Sequence, residues 1–136
     1  MNTQNMMRVV LIDDYDMTRT LLRIILRGKQ FEIVGEASDG QEGINLCQQL
    51  KPDLILLDVV MPKMDGLSAL EKIRKLLPES VILMVTSNED QEIVNQSIEK
   101  GADGYIIKPF NTASVLLTLN QVQEKFTLQR SAKVQR

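Results

Sequence analysis

Five short strand-like runs alternate along this chain with five longer segments of helical periodicity. The runs are Arg8–Ile12, Phe31–Ala37, Leu54–Leu57, Val81–Val85 and Tyr105–Ile107. Leu54–Leu57 is apolar at every position, as a strand buried on both faces must be. The segments between the runs are predicted helices: Asp16–Arg27, one that follows the turn "SDGQEG" and ends near Leu50, Leu67–Leu77, Asp90–Lys100, and one from Thr112 to at least Phe126. Alternation of this kind predicts an α/β fold, a (βα)5 doubly wound parallel sheet with right-handed crossovers and helices on both faces.

Local signals agree. Met17, Leu21, Ile24 and Ile25 are read as the inner face of the first helix. Gly28 and Gly101 are helix stops, and Pro78 closes the third helix. Asp65 is expected to cap that helix at its start. In the last helix Val115, Leu119, Val122 and Phe126 follow at spacings of 4, 3 and 4, an amphipathic stripe.

Composition narrows the function classes. The 136 residues fit one domain with a normal core. The net charge of −2 gives no global field for nucleic acid. All four ionisable residues after Glu124 are basic, so the body is acidic and the tail "TLQRSAKVQR" is basic. The one cysteine, Cys47, falls in a helical pattern and is read as a core residue; a lone cysteine fits a reducing, cytoplasmic compartment. The absence of histidine excludes histidine catalysis, histidine metal ligands and a phosphohistidine of this chain's own. No apolar run is long enough to span a membrane.

The ends of the strand-like runs carry the chemistry. The first run leads into Asp13–Asp14, the third into Asp58, the fourth into Thr86–Ser87 and the fifth into Lys108. In an open α/β sheet, ligands bind outside the carboxyl ends of the strands. Two carboxylates ~4 Å apart repel by roughly 4 kcal/mol at an effective dielectric near 20. Three together require protonation or a cation, and an all-oxygen donor set suits Mg2+. A metal, a lysine and a hydroxyl form a set that stabilises a phosphoryl group, which Asp58 would carry as an aspartyl phosphate. The plainer reading, a strand-end salt bridge between Lys108 and one aspartate, leaves two carboxylates unexplained.

These residues sit in the segments "LIDDYD", "LILLDVVMPKMDG", "VTS" and "GADGYIIKPF". In that order and spacing the chain resembles a two-component response-regulator receiver domain, from about Arg8 to Phe126, and is similar in layout to single-domain chemotaxis regulators. The resemblance implies a flavodoxin-like strand order 2-1-3-4-5, with residues 1–126 as the receiver domain and 127–136 as a basic tail that extends the helix or frays. It implies Asp58 as phosphoacceptor. Asp13, Asp14, Asp58 and the backbone carbonyl of Val60 would hold Mg2+. Thr86 would contact the phosphoryl group and act as the switch hydroxyl, and Lys108 would pair with the phosphoryl oxygens. Tyr105 matches the switch aromatic, and Lys108–Pro109 matches an often-cis peptide. Val60 and Asn88 stand where the family tunes phosphoryl lifetime. Ser87 either lines the pocket or bonds the backbone, and Met61 and Pro62 shape the adjoining loop.

The implied function is a signalling phosphoacceptor, not an enzyme, which catalyses its own phosphorylation and dephosphorylation. Its expected partners are a sensor histidine kinase or phosphotransfer protein, and a downstream protein or an effector domain outside this chain. The changed surface would be that of the fourth helix, fifth strand and fifth helix, through which the resemblance also allows a homodimer. Direct nucleic-acid or membrane contact is not expected. Three other readings share parts of the pattern. A haloacid-dehalogenase-type phosphatase needs a second aspartate where Val60 stands. A flavodoxin-like flavin carrier needs a first loop rich in Ser, Thr and Gly, and "DDYD" repels phosphate without a metal. A phosphorylation-independent interaction module of receiver fold retains no use for the intact aspartate, threonine and lysine set.

Overall fold

The computed structural model describes residues 6–61, 64–86 and 91–134. In chain order the elements are β1 (Met7–Ile12), α1 (Asp16–Leu26), β2 (Phe31–Ala37), α2 (Gly40–Leu50), β3 (Leu54–Asp58), α3 (Gly66–Leu76), β4 (Val81–Thr86), α4 (Gln91–Glu99), β5 (Gly104–Ile107) and α5 (Thr112–Val134). All neighbouring strands pair in parallel, in the order β2-β1-β3-β4-β5. The chain leaves β1 in one direction to form β2, then returns past it to form β3. The reversal lies between β1 and β3, and it places a crevice at their carboxyl ends.

The strand pleat divides the core into two layers. Val10, Ile12, Ile55, Leu57, Ile82 and Met84 face α2 and α3, where Ile44, Cys47, Leu70 and Ile73 pack on them. Val9, Leu11, Leu54, Leu56, Leu83 and Val85 face the other way, onto Leu22, Ile25 and Leu26 of α1 and Val115 and Leu119 of α5. Each central-strand residue is therefore covered on its own side, which explains why Leu54–Leu57 shows no alternation of polarity. Burying such a side chain contributes about 1.5–3 kcal/mol. Burial also pushes the Cys47 thiol up to about 12, so it stays protonated within the core.

The face expected for α1 is corrected. Met17, Leu21 and Ile24 are exposed, and of the four residues assigned inward only Ile25 is buried. The buried stripe is Thr18, Leu22, Ile25 and Leu26. Both stripes have helical spacing, so periodicity alone did not separate them. Tyr15 is the N-cap residue, in extended conformation, and its carbonyl accepts from Thr18 N and Arg19 N at the start of α1.

Helix ends follow the local signals. Asp65 Oδ1 accepts a hydrogen bond from Ser68 N at 2.8 Å, capping α3. Gly28 and Gly101 adopt φ of +77° and +110°, a region that L side chains rarely enter, just past the ends of α1 and α4. The Lys108–Pro109 peptide is cis. Helix α5 continues through the tail to Val134. Pro62, Ser87, Asn88, Asp90, Gln135 and Arg136 lie outside the described residues. Among the described residues, no helix is long and apolar enough to cross a membrane.

Candidate functional site: an acidic cluster at the strand ends

The crevice between β1 and β3 collects the strand-end residues. One carboxylate oxygen each from Asp13, Asp14 and Asp58 lies within 4.8 Å of the others. Asp13 and Asp58 are buried, at 2% and 6% exposure, while Asp14 is exposed. Buried carboxylates need partners, and both have them. Lys108 Nζ lies 3.2 Å from Asp13 Oδ2 and 3.7 Å from Asp58 Oδ2. Tyr15 N donates to Asp13 Oδ1 at 2.8 Å, and Val60 N donates to Asp58 Oδ1 at 3.2 Å.

One lysine does not balance three carboxylates. Burial, and then the charge of Asp13, raise the Asp58 carboxyl to about 6, against the lowering pull of Lys108. Such a cluster favours any cation that can supply further positive charge. An all-oxygen, partly open donor set of three carboxylates fits a hard divalent ion such as Mg2+.

Of the remaining sequence-predicted residues, Thr86 and Val60 adjoin this cluster. Thr86, the last residue of β4, is buried, and its carbonyl accepts from Lys108 N at 2.6 Å. Val60 projects beside Asp58 and is 69% exposed. Tyr105 pairs with Met84 in register and is 45% exposed on the edge strand β5.

Two structural contributors were not singled out in the sequence. Gly66 approaches the strand end so closely that a Cβ there would lie 2.2 Å from the Asp58 carbonyl oxygen and 2.6 Å from Val59 Cα. Gly66 N also donates to Val59 O at 2.7 Å, locking the loop to the strand. The other is Arg19, whose Nη1 donates to the Asp13 carbonyl at 2.5 Å. Its position six residues after Asp13, within the first turns of α1, is the only sequence signal for that contact.

Known proteins share this architecture. The family model of the response regulator receiver domain matches residues 9–120. The chain is 34% identical over 117 residues to the chemotaxis protein CheY of Thermotoga maritima, covering 86% of this chain and 98% of that protein. It is 40% identical over 123 residues to the nitrate/nitrite response regulator NarL of Escherichia coli K12, covering 89% of this chain but 56% of that protein. Among solved structures, the CheX–CheY–BeF3–Mg2+ complex of Borrelia burgdorferi matches with TM-score 0.83 and 27% identity, over 90% of this chain and 98% of the other. With the strand order, the strand-end aspartates and the family match in agreement, the chain belongs to the response regulator receiver domains of two-component systems.

Proposed function

We propose that this receiver domain accepts a phosphoryl group on Asp58, in a Mg2+-dependent reaction, from the phosphohistidine of a histidine kinase or phosphotransfer protein. The observation that carries this reading is the meeting of Asp13, Asp14 and Asp58 within 4.8 Å, with Lys108 between two of them. The solved Borrelia burgdorferi CheY complex, which contains BeF3 and Mg2+, supports it by likeness.

Asp58 attacks phosphorus through a carboxylate oxygen. An O–P bond forms as the donor's P–N bond breaks, and the electron pair leaves with the imidazole nitrogen. Asp13, Asp14, Asp58 and the Val60 carbonyl would hold Mg2+, which neutralises charge on the transferred group when bound. Lys108 shifts from the two carboxylates toward the phosphoryl oxygens. Thr86, at the adjoining strand end, donates its hydroxyl to the same group. Val60, exposed beside Asp58, limits the water that reaches the acyl phosphate and so bears on its lifetime. Hydrolysis of that phosphate by the domain itself returns the site to rest.

Output follows from the same movements. Lys108 and Thr86 lie on β5 and β4 or just beyond them, so their displacement changes the surface of α4, β5 and α5, with Tyr105 turning inward. Hydrogen bonds to charged groups contribute roughly 1.5–3 kcal/mol each. Two or three reach the ~5.5 kcal/mol that inverts a 1:99 equilibrium. That surface would meet a downstream protein or a second copy, or act on an effector domain outside this chain.

The test is a mass measurement after incubation with Mg2+ and acetyl phosphate. The expected result is a gain of one phosphoryl group that Asp58→Asn abolishes. An undiminished gain in that variant would assign the acceptor elsewhere. No gain in the unaltered protein would favour an interaction module that works without phosphorylation.

A further inference from the structure

We infer that Arg19 is a positioning residue for the acidic loop, holding the peptide that joins Asp13 to Asp14 in the orientation that aims both carboxylates at one cation. This rests on the reading of the aspartates as a Mg2+ site.

The inference begins with how Asp13 is held. Its N–H donates to the Ala37 carbonyl at 3.0 Å, and its two carboxylate oxygens take Tyr15 N and Lys108 Nζ. Its carbonyl, which belongs to the Asp13–Asp14 peptide, accepts from Arg19 Nη1 at 2.5 Å. Rotation of that peptide would swing Asp14 away from Asp58, and Asp14 is the exposed member of the cluster.

Arg19 is itself anchored. Its Nε donates to Glu36 Oε1 at 3.2 Å and its Nη2 to Asp16. Arg23 Nη1 holds both Glu36 carboxylate oxygens at 2.7 Å. Glu36 and Ala37 are the last two residues of β2. The end of β2 therefore grips Asp13 twice, directly at its N–H through Ala37, and at its carbonyl through Glu36 and Arg19. The Arg19 side chain is only 15% exposed, so the fork has little freedom to leave.

Geometry, not charge, is what this cluster supplies. Two arginines face Glu36 and Asp16, so the group is close to neutral and projects little field onto the site. A planar guanidinium can span the carbonyl and the carboxylate at once, whereas a lysine ammonium offers a single point. Groups that orient metal ligands from behind typically change metal affinity by about 10–100-fold when removed.

The experiment is calorimetric titration with MgCl2 of the unaltered protein, Arg19→Gln, Arg19→Lys, Glu36→Gln and Asp13→Asn, with circular dichroism to check folding. Arg19→Gln should weaken Mg2+ binding by about tenfold, with Arg19→Lys recovering only part of the loss. Glu36→Gln should weaken it by a smaller factor. The Mg2+ concentration that half-saturates phosphorylation by acetyl phosphate should rise in parallel, while the rate at saturating Mg2+ stays within about twofold, as expected for a change in ion binding alone. Folded Arg19→Gln with unchanged Mg2+ affinity would overturn the inference, as would full recovery in Arg19→Lys. Should Arg19→Gln fail to fold, Glu36→Gln decides: weaker binding supports the link and unchanged binding overturns it. If Asp13→Asn abolishes binding while the Arg19 variants leave it unchanged, the site reading stands and this inference alone falls. If the unaltered protein takes up no Mg2+, both fall.

Discussion

Lys108 bridges two carboxylates that arrive from different strands, with its Nζ 3.2 Å from Asp13 Oδ2 and 3.7 Å from Asp58 Oδ2. Removing it leaves two buried acids facing each other. Lys108→Met should therefore lower stability at pH 7, in the presence of a chelator, by about 1.5–3 kcal/mol. The deficit should shrink below pH 6, where Asp58 takes up a proton and no longer needs the lysine. Urea unfolding at pH 7 and pH 5 measures both values. Equal deficits at the two would detach Lys108 from Asp58.

Asp58 gives the opposite sign. The folded protein holds a proton there more tightly than the unfolded chain does, since its carboxyl is raised from 3.8 to about 6. Ionisation therefore costs folding stability as pH climbs through that interval, and the cost is complete above about 6. Asp58→Asn removes it, and should raise stability at pH 7 without Mg2+ by on the order of 3 kcal/mol. Thermal melting at pH 7 and pH 4 should show the gain at the first and little at the second. A gain independent of pH would have another cause.

The close approach at Gly66 makes a sharp structural test. A methyl group there would strike the backbone of Asp58 and Val59, not a flexible side-chain tip. Gly66→Ala should destabilise the fold by about 1–3 kcal/mol or more, as overpacking does. It should also slow phosphorylation at saturating Mg2+, because the strand end that carries Asp58 must shift. Chemical unfolding together with the acetyl phosphate assay reads both effects, and an unchanged rate would show that the loop absorbs the methyl without moving Asp58.

At the opposite end of the sheet, Arg74 ties three segments together. Its guanidinium donates to the carbonyls of Gly101, Leu77, Pro78 and Ser80, and to Asp103 Oδ2 at 2.8 Å. Asp103 in turn accepts from Ile82 N at 2.9 Å. Arg74→Ala should cost about 2–4 kcal/mol, several hydrogen bonds to one charged group, yet leave the Mg2+ dependence of phosphorylation unchanged. Equilibrium unfolding and a Mg2+ titration separate the two. Altered Mg2+ dependence would mean that the two ends of the sheet are coupled.

The corrected face of α1 can be checked by a pair of truncations. Leu22→Ala should cost about 2–5 kcal/mol, as removal of a buried leucine does. Leu21→Ala, one residue away, should stay within about 0.5 kcal/mol. Denaturant midpoints decide, and the reverse ranking would restore the face read from periodicity.

That pair shows where the sequence was legible and where it was not. Strand identity could be read because Leu54–Leu57 and Val81–Val85 are apolar without interruption, as strands inside a sheet covered on both sides are, whereas the strand order followed from the likeness to receiver domains. The strand-end aspartates, Thr86 and Lys108 could be read because their separations place them at one edge once that sheet is assumed. The rotation of α1 could not, since Met17, Leu21 and Ile24 mimic an inner face at the same period as the true one. Arg19 and Gly66 were illegible for a different reason. They meet the site through backbone atoms of Asp13, Asp58 and Val59, and a backbone atom leaves no mark in residue type.

Strand β5 has four residues and a single hydrogen-bonded neighbour, β4. Tyr105 faces solvent from it, and Lys108 reaches the acids just past its end. Three residues of extended chain span only ~10 Å. This edge ribbon, tethered along one side, carries the Lys108 ammonium just past one end and a solvent-facing ring near the other. If Lys108 is drawn toward a phosphoryl group, as proposed, the distance from that event to the outer surface is the length of one short strand, of which Ile106 alone is buried in the core.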